Sequence, residues 1–221
     1  QIHNLHIEGF VVVLAQSVGY AAALAGENRG LVTDCSATGT IMADFGEGGG
    51  LIAHNDGIVA RCYARCYVFG LHVGGLLGSS DTQGWVVSCS ADGWVHAYDG
   101  IHDYVDGIAG GLVAVNGGRI QFCSSGATVS GYQAGGLVGT NNGVVGESYS
   151  LAFVSGDYAG GLVGQNDLEV INCHAKGATG GDGLVRVNGG IITSSYSLSA
   201  SQPRPTTVRT RSFGEHTISG C

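Results

Sequence analysis

The stretch that decides the fold is residues 135–157, GGLVGTNNGVVGESYSLAFVSGD. It opens with a short apolar strand at Leu137 and continues into Thr-Asn-Asn-Gly, which favours a turn because Asn and Gly adopt positive φ at little steric cost. A second strand runs from Val144 until the chain breaks again at Gly156. The same order of strand, turn and strand restarts at Gly160, so this stretch is one copy of an internal repeat.

Equivalent residues recur about every 25 positions and define columns along the repeats. A leucine opens each copy at Leu24, Leu51, Leu76, Leu112, Leu137, Leu162 and Leu184. A polar turn residue follows at Asn28, Asn55, Ser80, Asn116, Asn141, Asn166 and Asn188. An aliphatic residue comes next at Val32, Val59, Val86, Ile120, Val145, Val170 and Ile192, where Val86 is aligned across a longer turn.

A column of sulfur-bearing residues lies three positions after the aliphatic column, and a second aliphatic column closes each repeat. The sulfur column holds Cys35, Cys62, Cys89, Cys123 and Cys173, with Ser148 and Ser195 in the other two copies. The closing column holds Val11, Ile41, Val68, Val95, Val129 and Val154. Ile2 and Leu5 place the N-terminal residues in the same pattern, and leucine in place of cysteine indicates that the sulfur column points inward.

Period-two alternation with one phase in every repeat is typical of strands stacked in parallel register. We therefore predict an all-β fold, a single parallel β-solenoid of about eight rungs of roughly 25 residues each, where a rung is one turn of the chain around the rod. The solenoid is expected to cover residues 1–200, with rungs starting near residues 21, 49, 74, 110, 135, 160 and 182.

The C-terminal residues depart from the repeat. Residues 201–212 hold both prolines and three arginines and are predicted to form an extended arm. Residues 213–221 are predicted to form a partial terminal rung, because Ile218 and Cys221 are spaced like an aliphatic residue and its cysteine. Both ends of the sequence thus share one phase of the repeat, which leaves two interpretations open: a fragment of a longer solenoid, or subunits that stack head to tail.

Composition supports a solenoid and excludes other classes. The 221 residues include 41 Gly, and only 12% are charged. Glycine without a three-residue period excludes collagen, and 44% hydrophobic residues argue against disorder. The net charge of −8 argues against a nucleic-acid partner, which needs a basic surface. No apolar run is long enough to cross a bilayer, so no membrane insertion is predicted.

Two segments, residues 135–149 and 182–196, resemble the Glug motif, which reads roughly GGLVGxNxGxIxxSY. Residues 160–173 and 110–123 match it with drift, and the resemblance extends to about residue 199. Glug repeats occur mostly in large microbial surface and secreted proteins, including adhesin-like chains and some surface peptidases, where they lie outside the catalytic part. The resemblance implies a parallel β-solenoid and an extracellular or cell-surface location.

The cysteines allow two interpretations. Zinc sites usually show close Cys pairs, and here only Cys62 and Cys66 are four residues apart, so no metal site and no cofactor are expected. Disulfides between stacked rungs fit the strand spacing, but parallel Cβ vectors make their dihedral awkward. The alternative is a column of buried thiols that pack as small hydrophobic groups. Cys66 and Cys221 lie outside the column and are the better candidates for disulfides, including intermolecular ones.

The best candidate for ligand binding is residues 91–109, which interrupt the repeat as a predicted excursion. Its candidate binding residues are Trp94, His96, Tyr98, Asp99, His102, Asp103 and Asp106. Aromatic rings beside carboxylates suit sugar stacking and hydrogen bonding, and the aspartates could supply calcium ligands, although their spacing matches no known calcium loop. The alternative is a solvated loop packed by its own aromatic residues.

These patterns favour a structural, non-enzymatic protein with no catalytic residue. We expect a sheath, filament or adhesin-stalk subunit that stacks head to tail, reinforced by disulfides, with copies of itself as the main partner and a polysaccharide as a second one. One alternative is a β-helix carbohydrate-active enzyme, but carboxylate pairs on adjacent rungs are missing from the sequence. Another is a non-catalytic spacer of a large surface peptidase.

Overall fold

The computed structural model of the chain describes residues 1–14, 19–98, 107–177 and 183–198, together with the backbone of Thr206–Thr207. Over these residues the chain is all β and forms a parallel β-solenoid, which confirms the predicted fold class. Each full rung contributes strands to three sheets, named A, B and C. In the described residues no helix is both long and apolar enough to cross a membrane.

The strands are numbered in chain order and belong to the three sheets as follows. Sheet A contains β1 Ile2–His3, β5 Leu31–Thr33, β8 Ile58–Ala60, β11 Trp85–Val87, β15 Arg119–Gln121, β20 Val144–Gly146, β25 Glu169–Ile171 and β28 Ile191–Thr193. Sheet B contains β2 His6–Leu14, β3 Tyr20–Ala22, β6 Ser36–Gly49, β9 Tyr63–Gly74, β12 Ser90–Ala97, β13 Ile108–Gly110, β16 Ser124–Ser125, β17 Thr128–Ser130, β18 Gln133–Gly135, β21 Tyr149–Ser150, β22 Phe153–Ser155, β23 Tyr158–Gly160, β26 His174–Ala175, β29 Tyr196–Ser197 and β30 Thr206–Thr207. Sheet C contains β4 Ala25–Asn28, β7 Ile52–Asn55, β10 Leu77–Ser80, β14 Val113–Asn116, β19 Val138–Asn141, β24 Val163–Asn166 and β27 Val185–Asn188.

The number of rungs differs slightly from the prediction. The described residues make about 6 complete turns, whereas the repeats predict about eight rungs. The sequence count includes a partial turn at each end. The N-terminal one supplies β1, β2 and β3 to sheets A and B before the first strand of sheet C, and the last one is described only as far as β29.

The columns read from the sequence form the interior of the solenoid. The leucines from Leu51 to Leu184 are at most 1% exposed, and the aliphatic column is at most 3% exposed. Val86 pairs with Val59 on one side and with Ile120 on the other, so its alignment across the longer turn is confirmed. Burial of these side chains at roughly 25 cal/mol per Å² of apolar surface is the main favourable term in the stability of the rod.

The turn asparagines also point inward, where they form a ladder along the rod. Asn116 Nδ2 donates to Asn141 Oδ1 at 2.7 Å, and Asn141 Nδ2 donates to Asn166 Oδ1 at 2.8 Å. The amides of Asn116 and Asn141 also close their own turns. Asn141 Oδ1 accepts from Gly143 N at 3.3 Å, and its Nδ2 donates to Gly143 O at 2.9 Å. One side chain therefore satisfies the turn backbone and joins consecutive rungs.

A corner with positive φ precedes every position of the sulfur column. The residues at this corner have φ between 50° and 55°: Asn4, Asp34, Arg61, Ser88, Phe122, Glu147, Asn172 and Ser194. Their backbone N–H groups continue the ladder between rungs, as in the 3.0 Å bond from Arg61 N to Val87 O. Non-glycine residues rarely adopt this conformation, and its recurrence turns the chain from sheet A into sheet B.

One predicted column position is wrong. Val12 pairs with Ile41, whereas Val11 pairs with Thr40 and is 67% exposed. The cause is a bulge at Gly9, whose φ of 65° inserts one extra residue into β2. A shift of one residue in a strand moves each following side chain to the opposite face.

The C-terminal arm is described at one point. Thr206–Thr207 pairs antiparallel with Tyr196–Ser197, and this is the one antiparallel pair among the strands described. The predicted arm at 201–212 otherwise lies outside the described residues. The predicted partial rung at 213–221, including Cys221, also lies outside them.

Candidate functional site

Three of the candidate binding residues lie on sheet B and its margin. Residues 91–97 of the predicted excursion belong to β12 (Ser90–Ala97), which pairs in register with β9 of the preceding rung. Trp94 and His96 lie on this strand, and Tyr98 follows it directly. The other four candidates, Asp99, His102, Asp103 and Asp106, lie outside the described residues.

The outer face of β12 borders a groove of about 850 Å³. Its lining residues are Thr38, Arg65, Tyr67, Asp92, Gly93, Trp94, Gly126 and Thr128. Tyr67 and Trp94 are direct partners on adjacent strands and are 54% and 45% exposed. Two large aromatic side chains therefore stand side by side on consecutive rungs, with polar groups around them.

The groove stays open because two of its lining positions are glycines, where larger side chains would fill the space. Gly93 has φ of 104°, and a Cβ there would overlap the carbonyl oxygen of Cys66. A Cβ at Gly126 would overlap Asp92 Oδ1. Gly93 is restricted to glycine by its φ and by this backbone contact, whereas the contact at Gly126 is with the end of the Asp92 side chain. The absence of a side chain at both positions keeps the space between the side-chain columns open.

The two charged side chains of the groove, Asp92 and Arg65, differ in the contacts they make. Asp92 Oδ2 accepts a hydrogen bond from the Tyr63 hydroxyl at 3.1 Å. Burial, and then this contact with Asp92, raises the pKa of Tyr63. Arg65 is directly opposite Asp92 in the strand register and is exposed, but within the described parts of the chain it takes part in no ion pair.

His96 and Tyr98 border a smaller, more apolar recess of about 280 Å³ with Met42 and Phe69. His96 Nδ1 lies 2.7 Å from Ser130 Oγ, and its ring stacks on Tyr98 with centroids 5.8 Å apart. The Tyr98 hydroxyl donates to Asp44 Oδ1 at 3.0 Å. Burial, and then Asp44, raises the pKa of Tyr98. His96 and Tyr98 therefore already contact other side chains of the protein.

The sulfur column has a defined role at the corner after sheet A. Cys89 Sγ donates to Val87 O at 3.3 Å and accepts from Cys62 N at 3.3 Å. Ser148 Oγ makes the equivalent contacts, with Gly146 O at 2.7 Å and Cys123 N at 3.0 Å. A small side chain that both donates and accepts satisfies this corner, which explains why Ser replaces Cys at two positions of the column.

The six cysteines in the described residues are all free and buried. Cys66, proposed from the sequence as a disulfide candidate, is 1% exposed, and its thiol points to the carbonyl oxygens of Ala37 and Gly50. Burial raises the pKa of Cys66 and raises the pKa of Cys173 to about 11. The hydrogen bond with Cys89, and then burial, raises the pKa of Cys62.

These contacts predict thiols that do not react in the native protein. In a Cys221→Ser chain at pH 8, we expect Ellman's reagent to modify less than about 0.1 thiol per chain within an hour, because reaction requires an accessible thiolate. All six thiols should react once the chain is unfolded in guanidinium chloride. Rapid modification of one or more thiols in the native chain would contradict the buried column.

A hydrogen-bonded cluster at the edge of sheet C was not predicted from the sequence. His54 Nδ1 lies 2.7 Å from Ser79 Oγ, and Ser79 Oγ donates to Glu47 Oε2 at 2.5 Å. His54 Nε2 lies 3.5 Å from Asp81 Oδ2, and Tyr20 stacks on the imidazole. The only sequence signal is that Ser79 and His54 are neighbours in the repeat alignment. In the described residues no group of three or more His, Cys, Asp or Glu is arranged to hold a metal ion.

Arg65 and Tyr67 are the functional candidates that the loop interpretation missed. Each lies one position after a small inward residue, Ala64 or Cys66, so alternation places both on the outer face of β9, the strand that pairs with β12.

Comparisons of the chain with protein-family models, with curated proteins and with solved structures found no match.

Proposed function

We propose that the chain is a structural segment of an extracellular or cell-surface protein. It would serve as a rod of Glug-type repeats that associates with copies of itself, as in a sheath, filament or adhesin stalk. In this proposal the chain has no catalytic centre of its own. The sequence resemblance supports the proposed location and repeat family. The interior of the solenoid supports the proposed structural role.

The observation that carries the proposal is the composition of the interior. The buried polar side chains in the described residues are all Asn, Ser or Thr, and none of their fully buried N or O atoms lacks a hydrogen-bond partner. Buried polar networks that are fully satisfied make a structure rigid and specify one arrangement. A rod of this kind transmits its geometry from rung to rung, as expected of a stalk or filament subunit.

The positions of the Glug-like residues support the same conclusion. In residues 135–149, Leu137 is buried in the core, Asn141 belongs to the buried ladder, and Val145 is fully buried. The motif therefore consists mainly of residues that form the interior of the rod. Side chains on its outer faces vary between repeats, so the motif by itself encodes a scaffold.

Disulfide reinforcement through Cys66 is not part of the proposal. Its side chain lies in the interior among atoms of its own chain, and another chain could reach it only if the rung opened. Association between copies would instead rest on backbone pairing and apolar contacts, which reductants do not affect.

The test combines light scattering and negative-stain electron microscopy over a range of protein concentrations, with and without reductant. We expect a Cys221→Ser chain to form concentration-dependent assemblies whose size is the same in both conditions. A monodisperse monomer at every concentration would contradict self-association. Release of new reducing ends from plant or bacterial polysaccharides by the pure chain would contradict the non-enzymatic role and support a β-helix carbohydrate-active enzyme.

A further inference from the structure

We propose that the groove on sheet B binds a carboxylate-bearing polysaccharide, with the sugar chain running along the rod across consecutive rungs. Tyr67 and Trp94 would stack on the sugar rings, and Arg65 would pair with a carboxylate. This binding activity goes beyond the structural role proposed above and does not depend on self-association.

The stacking surface is the first argument. Tyr67 and Trp94 are half exposed although both are large aromatic residues, and they occupy the same column of adjacent strands. Neighbouring strands are about 4.8 Å apart, a spacing comparable to the length of one pyranose unit. Aromatic side chains offer a broad apolar surface at a low cost in conformational entropy, which suits the apolar faces of sugar rings.

The polar groups around the two rings are the second argument. Thr38 and Thr128 supply hydroxyl groups on the two outer strands of the groove, and Asp92 supplies a carboxylate between them. Asp92 is fixed by the Tyr63 hydroxyl, so it is oriented before a ligand arrives. A groove with apolar walls and a few positioned polar groups is the usual form of a site that recognises hydroxyl-rich ligands.

The charge of Arg65 is the third argument and selects an acidic polysaccharide. Arg61, on the same rung, is neutralised by Asp34 through two 2.7 Å contacts. Arg65 takes part in no such pair within the described residues. A uronate carboxylate would provide the missing partner in a geometry that guanidinium groups favour.

Isothermal titration calorimetry with oligomers of galacturonate, mannuronate and glucuronate tests this proposal. The methyl ester of the bound oligomer is the matched neutral ligand, because it differs in charge and keeps the ring. Aromatic anchors and charge-assisted bonds typically dominate binding, so we expect Trp94→Ala and Tyr67→Ala each to weaken binding of both ligands about tenfold or more. On the same grounds, Arg65→Gln should weaken binding of the free acid about tenfold and leave the ester nearly unchanged.

Trp85 supplies the control variant. It lies on β11, in the same rung as Trp94, and is 40% exposed, but it belongs to sheet A and therefore lies outside the groove. Trp85→Ala should leave affinity unchanged, and circular dichroism should show that all four variants retain the β signal. The proposal is overturned if none of the three uronate oligomers binds at millimolar concentration, if acid and ester bind equally, or if Trp85→Ala reduces affinity as much as Trp94→Ala.

Discussion

Replacing Asn141 with aspartate should lower the free energy of unfolding by about 3 to 5 kcal/mol at neutral pH, the range seen when a buried charge is left unpaired. Asn141 is fully buried, and its Nδ2 points at three acceptors: Asn166 Oδ1 at 2.8 Å, Gly143 O at 2.9 Å and Glu169 O at 3.2 Å. A carboxylate oxygen in that place repels all three. Asn141→Ala should cost about 2 to 3 kcal/mol, because it leaves the same groups unpaired without adding a charge.

The loss in the aspartate variant should depend on pH in a defined direction. In the aspartate variant one carboxyl oxygen keeps the donors Asn116 Nδ2 and Gly143 N, but the other takes the place of Nδ2 and faces acceptors. Burial and these acceptors favour the protonated form, so the pKa of the carboxyl in the folded chain lies above the unfolded value of about 4. The unfolded state therefore releases its proton first as pH rises, and the variant loses stability relative to wild type above about pH 4. Below that pH the difference between Asp and Asn should shrink.

Urea titrations of wild type and variants at pH 3.5 and pH 7 measure both effects. Asn142→Asp is the matched control, because Asn142 is the exposed sequence neighbour of the ladder residue. Surface substitutions of this kind usually change stability by less than about 0.5 kcal/mol. Equal losses at positions 141 and 142, or a loss at 141 that grows as pH falls, would contradict the buried ladder.

The interior columns are the part of this fold that sequence alone predicts, since alternation keeps one phase through every repeat. Val86 shows the strength of that signal, because its alignment survives a longer turn. The direction of a side chain at a turn is not encoded by alternation. The Asn141 column reads as turn chemistry in the sequence, and only the closed turn shows that its amides point inward.

Local backbone conformations also escape the pattern. The extra residue at Gly9 shifts Val11 to the outer face, and a glycine in a glycine-rich sequence gives no warning of a bulge. Phe122 adopts φ of 55°, a conformation that its residue type disfavours. The stacked ladders on both sides of the corner impose this conformation, so it follows from tertiary structure and not from local propensity.

The candidate site was predictable only in part. Aromatic residues beside carboxylates draw attention to Trp94, but the sequence interpretation places it in a loop. The groove depends on which outward residues become neighbours across rungs, and Arg65 and Tyr67 come from the preceding rung. It also depends on Gly93 and Gly126, whose close contacts become visible only when the strands are stacked.

Gly135→Ala should destabilise the solenoid by about 3 kcal/mol or more, at the upper end of what overpacking costs. A Cβ at Gly135 would overlap the carbonyl oxygen of Val138 and lie 2.8 Å from Gly164 N. These contacts are with backbone, so relief requires the turn to move. That movement would disturb the 2.8 Å bond from Leu137 N to Leu162 O, which joins this rung to the next.

Gly146→Ala, in the same rung, is the matched control for the Gly135 substitution. There the nearest heavy atom to a new Cβ is Gln121 Cγ at 3.6 Å, an ordinary van der Waals contact. We expect a change within about 0.5 kcal/mol, or a small gain from the restricted unfolded chain. Guanidinium titrations compare both variants with wild type. Equal losses from both substitutions would refute the close approach at Gly135 as the reason for its glycine, because Gly146 has no such contact. If only Gly135→Ala is costly, close backbone packing between turns explains why the paired glycines recur at the start of the repeats.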